Sequence, residues 1–200
     1  MSSLYGFIGE DNSDVDAFEV ILSKYIPKEK FKLKRFVGKG HGKISAKVKA
    51  WTEILLQEGC KAVFIVQDLD EYKLKDLKQS LEDKIQSLNT KKNILVVIPI
   101  KELEAWLLTD PKVLQDVFNF LSPPKLPSNP EQCKDPKKEI ADIVRKHRQN
   151  HRIIYTNTSH NKEILQKLSL SSLRKCSSFE LLHSYLTLNL TGKKKTRQKR

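Results

Sequence analysis

The stretch AVFIVQDLD at residues 62–70 joins a continuous apolar run to two carboxylates, Asp68 and Asp70. The run lacks the alternation of a strand with one solvated face, so it predicts a strand buried on both faces of a parallel sheet. In open α/β sheets, ligands gather outside the carboxyl ends of the strands. The pair therefore predicts a metal-binding site at the end of this strand, although Asp is also typical of turns and helix caps.

Segments with strand and helix patterns alternate on both sides of this run. Further strands are predicted over residues 4–9, 31–37 and 93–99. Helices are predicted over residues 13–25, 44–58 and 74–88. This alternation favours an α/β fold with a mostly parallel sheet flanked by helices. Glu10 follows the first strand, and Glu102 and Glu104 follow the last.

The rest of the chain predicts additional helices rather than a second fold. A proline-rich loop at residues 122–136 separates the motif core, residues 4–110, from helices that we expect to pack on the sheet. These helices are predicted over residues 137–149, 162–168 and 179–190. We therefore expect one domain over residues 1–190, in which residues 111–190 form a helical C-terminal part.

The formal net charge of +13 favours a polyanionic partner such as nucleic acid. Six basic residues and no acidic residue occupy positions 191–200, which predicts a disordered tail that binds phosphates or only aids solubility. No apolar run approaches the ~20 residues of a membrane span. The three cysteines lie far apart without a CxxC motif, which argues against a disulfide framework. We expect a cytoplasmic protein that does not contact membranes.

A glycine-rich basic segment, GKGHGK, spans residues 38–43. It lacks the spacing of a P-loop, so it does not predict a nucleotide site. Lys39, His41 and Lys43 are candidates for contacts with a nucleic-acid backbone, and the alternative is a plain flexible turn.

Glu10, Asp68 and Asp70 follow two strands that a parallel sheet can place side by side. Clustered carboxylates without cysteines suit Mg²⁺ or Mn²⁺, because these cations prefer oxygen ligands. Without a cation or a proton, the carboxylates would repel one another. Such a site can support phosphodiester cleavage, in which Glu10 acts as a ligand or a general base.

The order of a strand ending in Glu10, a helix, and a later strand ending in Asp68-x-Asp70 resembles the TOPRIM domain. The segment from Ile100 to Asp110, IKELEAWLLTD, is similar to the Glu-Ala-Trp-Leu-Leu-x-Asp segment of small stand-alone, OLD-nuclease-like TOPRIM proteins of bacterial and phage-defence neighbourhoods. Pro130-Glu131 and Asp135-Pro136-Lys137 are similar to later elements of those proteins.

This resemblance implies a TOPRIM-like fold and an Mg²⁺- or Mn²⁺-dependent nuclease, in phage defence. It implies that Glu10, Asp68 and Asp70 are catalytic, and that Asp14 and Glu104 join them in binding metal. Because the chain is small, we also expect an ATPase or another defence-system subunit, or a second copy, as a partner. The alternative is a noncatalytic subunit that binds nucleic acid or a partner and retains a vestigial acidic cluster.

Overall fold

The computed structural model describes residues 2–38, 43–88 and 93–190, and its centre is a parallel β-sheet. The strands are β1 (Ser3–Gly9), β2 (Phe31–Val37), β3 (Val63–Val66) and β4 (Ile94–Val97). Their order across the sheet is β2-β1-β3-β4, and every neighbouring pair is parallel. The predicted α/β class with a parallel sheet is therefore confirmed.

Helices cover both faces of this sheet, which explains why the strands are continuously apolar. The helices of the N-terminal half are α1 (Asn12–Ser23), α2 (Lys43–Gln57), α3 (Leu74–Ile85) and α4 (Glu104–Leu107). Phe7 and Phe64 point to the face covered by α1 and the C-terminal helices. Ile8 and Ile65, their neighbours in the chain, point to the face covered by α2 and α3. Trp106, at 1% exposure, is a core residue.

The C-terminal part is helical and shares the core of the sheet. Its helices are α5 (Pro111–Phe118), α6 (Pro136–His147), α7 (Asn157–Lys167), α8 (Leu170–Leu173) and α9 (Ser177–Leu190). Leu165 of α7 and Phe179 of α9 belong to the same buried cluster as Phe64 of β3. In the described part of the chain, no helix has both the length and the apolar character required to cross a bilayer. The basic tail, residues 191–200, lies outside the described residues.

Several helix starts differ from the sequence-based expectation: α7 begins at Asn157 rather than at residue 162, α8 was not predicted, and the starts of α1 and α5 share a cause. Helix α1 begins at Asn12, one residue before the predicted start, because the side chain of Asp11 accepts hydrogen bonds from the backbone N–H groups of Ser13 and Asp14 and caps the helix. Helix α5 was not predicted, although Asp110 followed by Pro111 is a standard helix start. Both starts depend on a carboxylate that accepts from backbone N–H groups at the helix N-terminus.

Candidate metal centre

The strand order places the predicted acidic residues at one edge of the sheet. Ile8 of β1 pairs with Ile65 of β3, and Val66 pairs with Val97 of β4, so the three strands end together. Glu10 follows β1, the two aspartates follow β3, and Glu104 begins α4 shortly after β4. The edge also receives Asp14 from the first turn of α1.

Asp14 is held at the junction of β1 and α1. Its Oδ2 accepts from the backbone N–H groups of Glu10 and Asp11, each at 3.0 Å. Glycine at position 9 leaves room for the Phe7 ring, because a Cβ there would overlap this ring and would lie 3.3 Å from Asp14 Cβ. Burial, followed by repulsion from Asp11 and Glu104, raises the pKa of Asp14 to about 7. A carboxyl group with a pKa of about 7 changes its protonation state near neutral pH.

Asp68 lies at the centre of the acidic cluster, which we define as Glu10, Asp14, Asp68, Asp70 and Glu104. Its Oδ1 accepts from the backbone N–H of Leu103 at 3.0 Å, which connects the end of β3 to the start of α4. Burial raises the pKa of Asp68 well above its usual range, and repulsion from the other four carboxylates raises it further. The charges of the other four side chains therefore all act on Asp68.

The backbone is strained at Asp70, which belongs to the acidic cluster, and at Lys101. Their φ angles are 47° and 67°, in the left-handed region that non-glycine residues rarely adopt. The N–H of Asp70 donates to the carbonyl of Lys101 at 2.9 Å, so the two strained residues support each other. Lys101 Nζ lies 3.6 Å from Glu71, which brings a cation to the rim of the cluster. Strain of this kind concentrates at functional sites.

Glu104 is held by two C-terminal residues that the sequence analysis missed. Its carboxylate, 5% exposed, accepts from Asn161 Nδ2 at 3.2 Å and from the hydroxyl of Tyr155 at 3.4 Å. The single hydroxyl hydrogen of Tyr155 is shared between Glu104 and Asn161 Oδ1, and the contact with Asn161 is the shorter of the two, at 2.6 Å. Burial, and then the charge of Glu104, raises the pKa of Tyr155. No local pattern around residues 155–161 marks them as site residues, because their partner is more than 40 positions away in the chain.

Replacing Tyr155 by phenylalanine should test this support of Glu104. We expect the free energy of unfolding to fall by about 1–2 kcal/mol, because Glu104 and Asn161 lose a buried hydrogen-bond partner. Urea denaturation measures the change, and Tyr72→Phe is the matched control because Tyr72 is 51% exposed. Equal effects of the two substitutions would contradict the role given to Tyr155.

The donor set of the cluster fits a hard divalent cation such as Mg²⁺ or Mn²⁺. All five groups are carboxylates, and their mutual repulsion is relieved by a cation. Among residues 2–38, 43–88 and 93–190, however, no three His, Cys, Asp or Glu side chains are grouped so that they could hold a metal ion. The described arrangement is thus an electrostatic cluster rather than a preformed coordination shell.

Of the three predicted nucleic-acid contacts, Lys43 belongs to the part of the chain that the structure describes. Lys43 is exposed and begins α2. Lys39 and His41 lie outside the described residues.

One protein family matches most of the chain. Residues 9–187 match the family described as a domain of unknown function (DUF4276). No curated protein and no solved structure matches the chain.

Proposed function

The chain belongs to the DUF4276 family, and we propose that it is a TOPRIM-like nuclease that hydrolyses phosphodiester bonds with Mg²⁺ or Mn²⁺. The observation that carries the proposal is the electrostatic coupling of Asp68 to four other carboxylates at the edge of the sheet where three adjacent strands end. Burial and mutual repulsion raise the pKa values of both Asp14 and Asp68. A folded protein retains such an unfavourable group of charges when a ligand, here a cation, offsets the repulsion.

Asp68 and Asp70 would hold the cation together with Asp14 and Glu104, and Glu10 would either join them or serve as the general base. Because the described side chains form no preformed shell, they would have to move closer together on binding the cation. The bound cation would supply positive charge at the phosphoryl oxygens, where negative charge develops during hydrolysis. Glu10 is the candidate general base: it takes a proton from the attacking water as the new O–P bond forms. The P–O bond to the leaving nucleotide then breaks, and the leaving oxygen takes a proton from solvent.

The test is cleavage of labelled single-stranded and double-stranded DNA and RNA in Mg²⁺, Mn²⁺ or EDTA. We expect cleavage that requires a metal and is lost in Asp68→Ala/Asp70→Ala. The matched control is Asp76→Ala/Asp83→Ala, which removes two exposed carboxylates from α3 and should cleave like the wild type. Cleavage that persists in EDTA, or in the Asp68/Asp70 variant, would refute the proposal.

A noncatalytic binding subunit is the second candidate, and the strong positive charge of the chain favours it. In that case, Glu104 is a structural partner of Tyr155 and Asn161, and the cluster retains its repulsion without catalysis. The cleavage assay separates the two candidates when it is combined with a binding assay. Binding of nucleic acid without cleavage in any metal, in both wild type and variant, would support the binding subunit.

The proposed setting is the cytoplasm, in phage defence, with an ATPase, another defence-system subunit or a second copy as partner. Cys60, Cys133 and Cys176 are all free thiols, which is consistent with a reducing compartment. The proposed partners follow from the resemblance and the small size of the chain. Co-purification of the chain expressed in its native host would identify a stable partner.

A further inference from the structure

A second surface next to the acidic cluster combines positive charge with aromatic side chains. We define the α2 face as Phe36, Lys47, Trp51 and Ile54. Lys47, Trp51 and Ile54 follow helical spacing on one side of α2. Phe36 comes from β2, an edge strand that pairs with β1. The α2 face therefore lies where a helix meets the edge of the sheet.

The rings on the α2 face are stacked and partly exposed. The ring centroids of Phe36 and Trp51 are 5.2 Å apart, and the ring planes differ by 4°. The ammonium of Lys47 lies 5.5 Å from the centroid of the Trp51 ring. Ile54, one turn after Trp51, is 41% exposed. The partly exposed Trp51 and the exposed Ile54 form a short apolar strip on the surface of α2.

Exposed lysines lie on β2 and α2, the two elements that form the α2 face. They are Lys32, Lys34, Lys43, Lys47 and Lys49. Glu58 pairs with Lys34 at 2.9 Å and offsets its charge, so the positive charge beside the strip comes from Lys32, Lys43, Lys47 and Lys49. Positive charge around an aromatic strip is complementary to a polyanion with flat rings, which describes a nucleic acid.

The register of the sheet places the α2 face close to the acidic cluster. Phe36 pairs with Ile8, which precedes Glu10 by two residues, or roughly 7 Å along an extended strand. A nucleic acid on this face can therefore continue to the carboxylates.

We propose that the α2 face binds single-stranded nucleic acid and delivers it to the acidic cluster. A base takes the place of the Lys47 ammonium over the Trp51 ring, and Lys47 turns to the adjacent phosphate. A duplex does not fit this role, because its bases stack on one another and present no face to a side chain. The delivery step rests on the proposed function, whereas the binding step does not.

The first test measures binding without cleavage. The probes are labelled oligo-dT and oligo-U of about 20 nucleotides and a duplex of equal length, titrated in EDTA by fluorescence anisotropy. We expect Trp51→Leu to weaken single-strand binding roughly 5- to 100-fold, the range for loss of one stacked base. Lys47→Glu should also weaken it and should reduce its salt dependence. The control is Lys146→Glu, which alters an exposed lysine of α6 and should bind like the wild type.

The second test reports the position of the bound strand. Stacking on Trp51 should quench the tryptophan fluorescence, whereas Trp106 is 1% exposed and should not respond. Trp51→Phe retains a stacking surface, so it should retain most of the affinity and lose the quenching. This variant also keeps the test decisive if Trp51→Leu does not fold.

The outcomes separate this inference from the proposed nuclease activity. Single-strand affinity that is unchanged in Lys47→Glu, with no quenching in the wild type, would overturn the inference even if the protein cleaves nucleic acid. Stronger binding of the duplex than of either single strand would overturn it too. Affinity and quenching that depend on the α2 face would support the inference even if no metal activates cleavage.

Discussion

Replacing Glu131 by alanine is expected to lower the free energy of unfolding by about 3–5 kcal/mol. The Glu131 carboxylate accepts four hydrogen bonds of 2.6–2.9 Å, from the backbone N–H and hydroxyl groups of Ser177 and Ser178. Alanine removes the cap of α9 and leaves these four donors without their acceptor. The effect should extend to the core, because Ser178 Oγ also accepts from the indole N–H of Trp106 at 2.8 Å.

Urea and thermal denaturation measure this loss, and we expect the melting temperature to fall by roughly 10 °C. Glu163→Ala is the control, because Glu163 is an exposed residue of α7. Glu131→Gln should lose less, since the amide keeps one acceptor oxygen. A loss below 1 kcal/mol in Glu131→Ala would show that this cap does not hold α9 in place.

The cap that the Glu131 carboxylate forms on α9 should weaken in acid. Burial alone would raise the pKa of Glu131, but the hydrogen bonds from Ser178 and Ser177 outweigh burial and hold the pKa below its ordinary value of 4.5. A carboxyl group whose pKa is lower in the folded chain than in the unfolded chain stabilises the fold at pH values above its unfolded pKa. This contribution is lost as pH falls through its folded pKa. Glu131→Ala should therefore differ least from the wild type in acid below the lowered pKa of Glu131, where the wild-type carboxyl group is also protonated.

The acidic cluster should make the metal-free protein less stable as pH rises, which is opposite to the effect of Glu131. Burial, followed by repulsion from Asp11 and Glu104, raises the pKa of Asp14 from 3.8 to about 7, so the folded chain binds more protons than the unfolded chain between these values. Protonated Asp14 therefore contributes stability that is fully present below about pH 4, and this contribution is lost as pH rises through about 7. The metal-free protein should lose up to about 1.4 kcal/mol per pH unit for this group alone.

Thermal denaturation in EDTA between pH 5 and pH 8 measures this dependence. We expect a melting temperature that falls as pH rises, and a flatter dependence in Asp14→Asn/Asp68→Asn. Asparagine keeps an oxygen that can accept from the N–H groups of Glu10 and Asp11 but carries no charge. A melting temperature in EDTA that rises steadily from pH 5 to pH 8 would contradict the raised pKa values.

Metal binding is linked to the same protons. A cation competes with protons for the carboxylates, so it should stabilise the protein more at pH 8 than at pH 5.5. Millimolar Mn²⁺ should raise the melting temperature of the wild type at pH 8 and leave the Asp14/Asp68 variant unchanged. An equal response of both proteins would show that Mn²⁺ binds elsewhere.

Much of the site was predictable because its members belong to local patterns. A strand buried on both faces is a continuous apolar run, so the positions of Glu10, Asp68 and Asp70 at strand ends follow from short segments. Their proximity then follows from the parallel order of the sheet, in which β1 and β3 are neighbours. The missed cap of α1 shows the limit of local rules, because Asp11 and Ser13 are both acceptable caps and the fold uses Asp11.

The sequence by itself determined the alternation of strands and helices and the acidic ends of three strands, because both depend on residues that are close in the chain. Only the tertiary structure decided which distant groups hold these elements together. Tyr155 and Asn161 support Glu104, Glu131 caps α9, and Trp51 stacks on Phe36. The physical reason is that these side chains form hydrogen bonds or ring contacts across many positions, and no local periodicity records such partners.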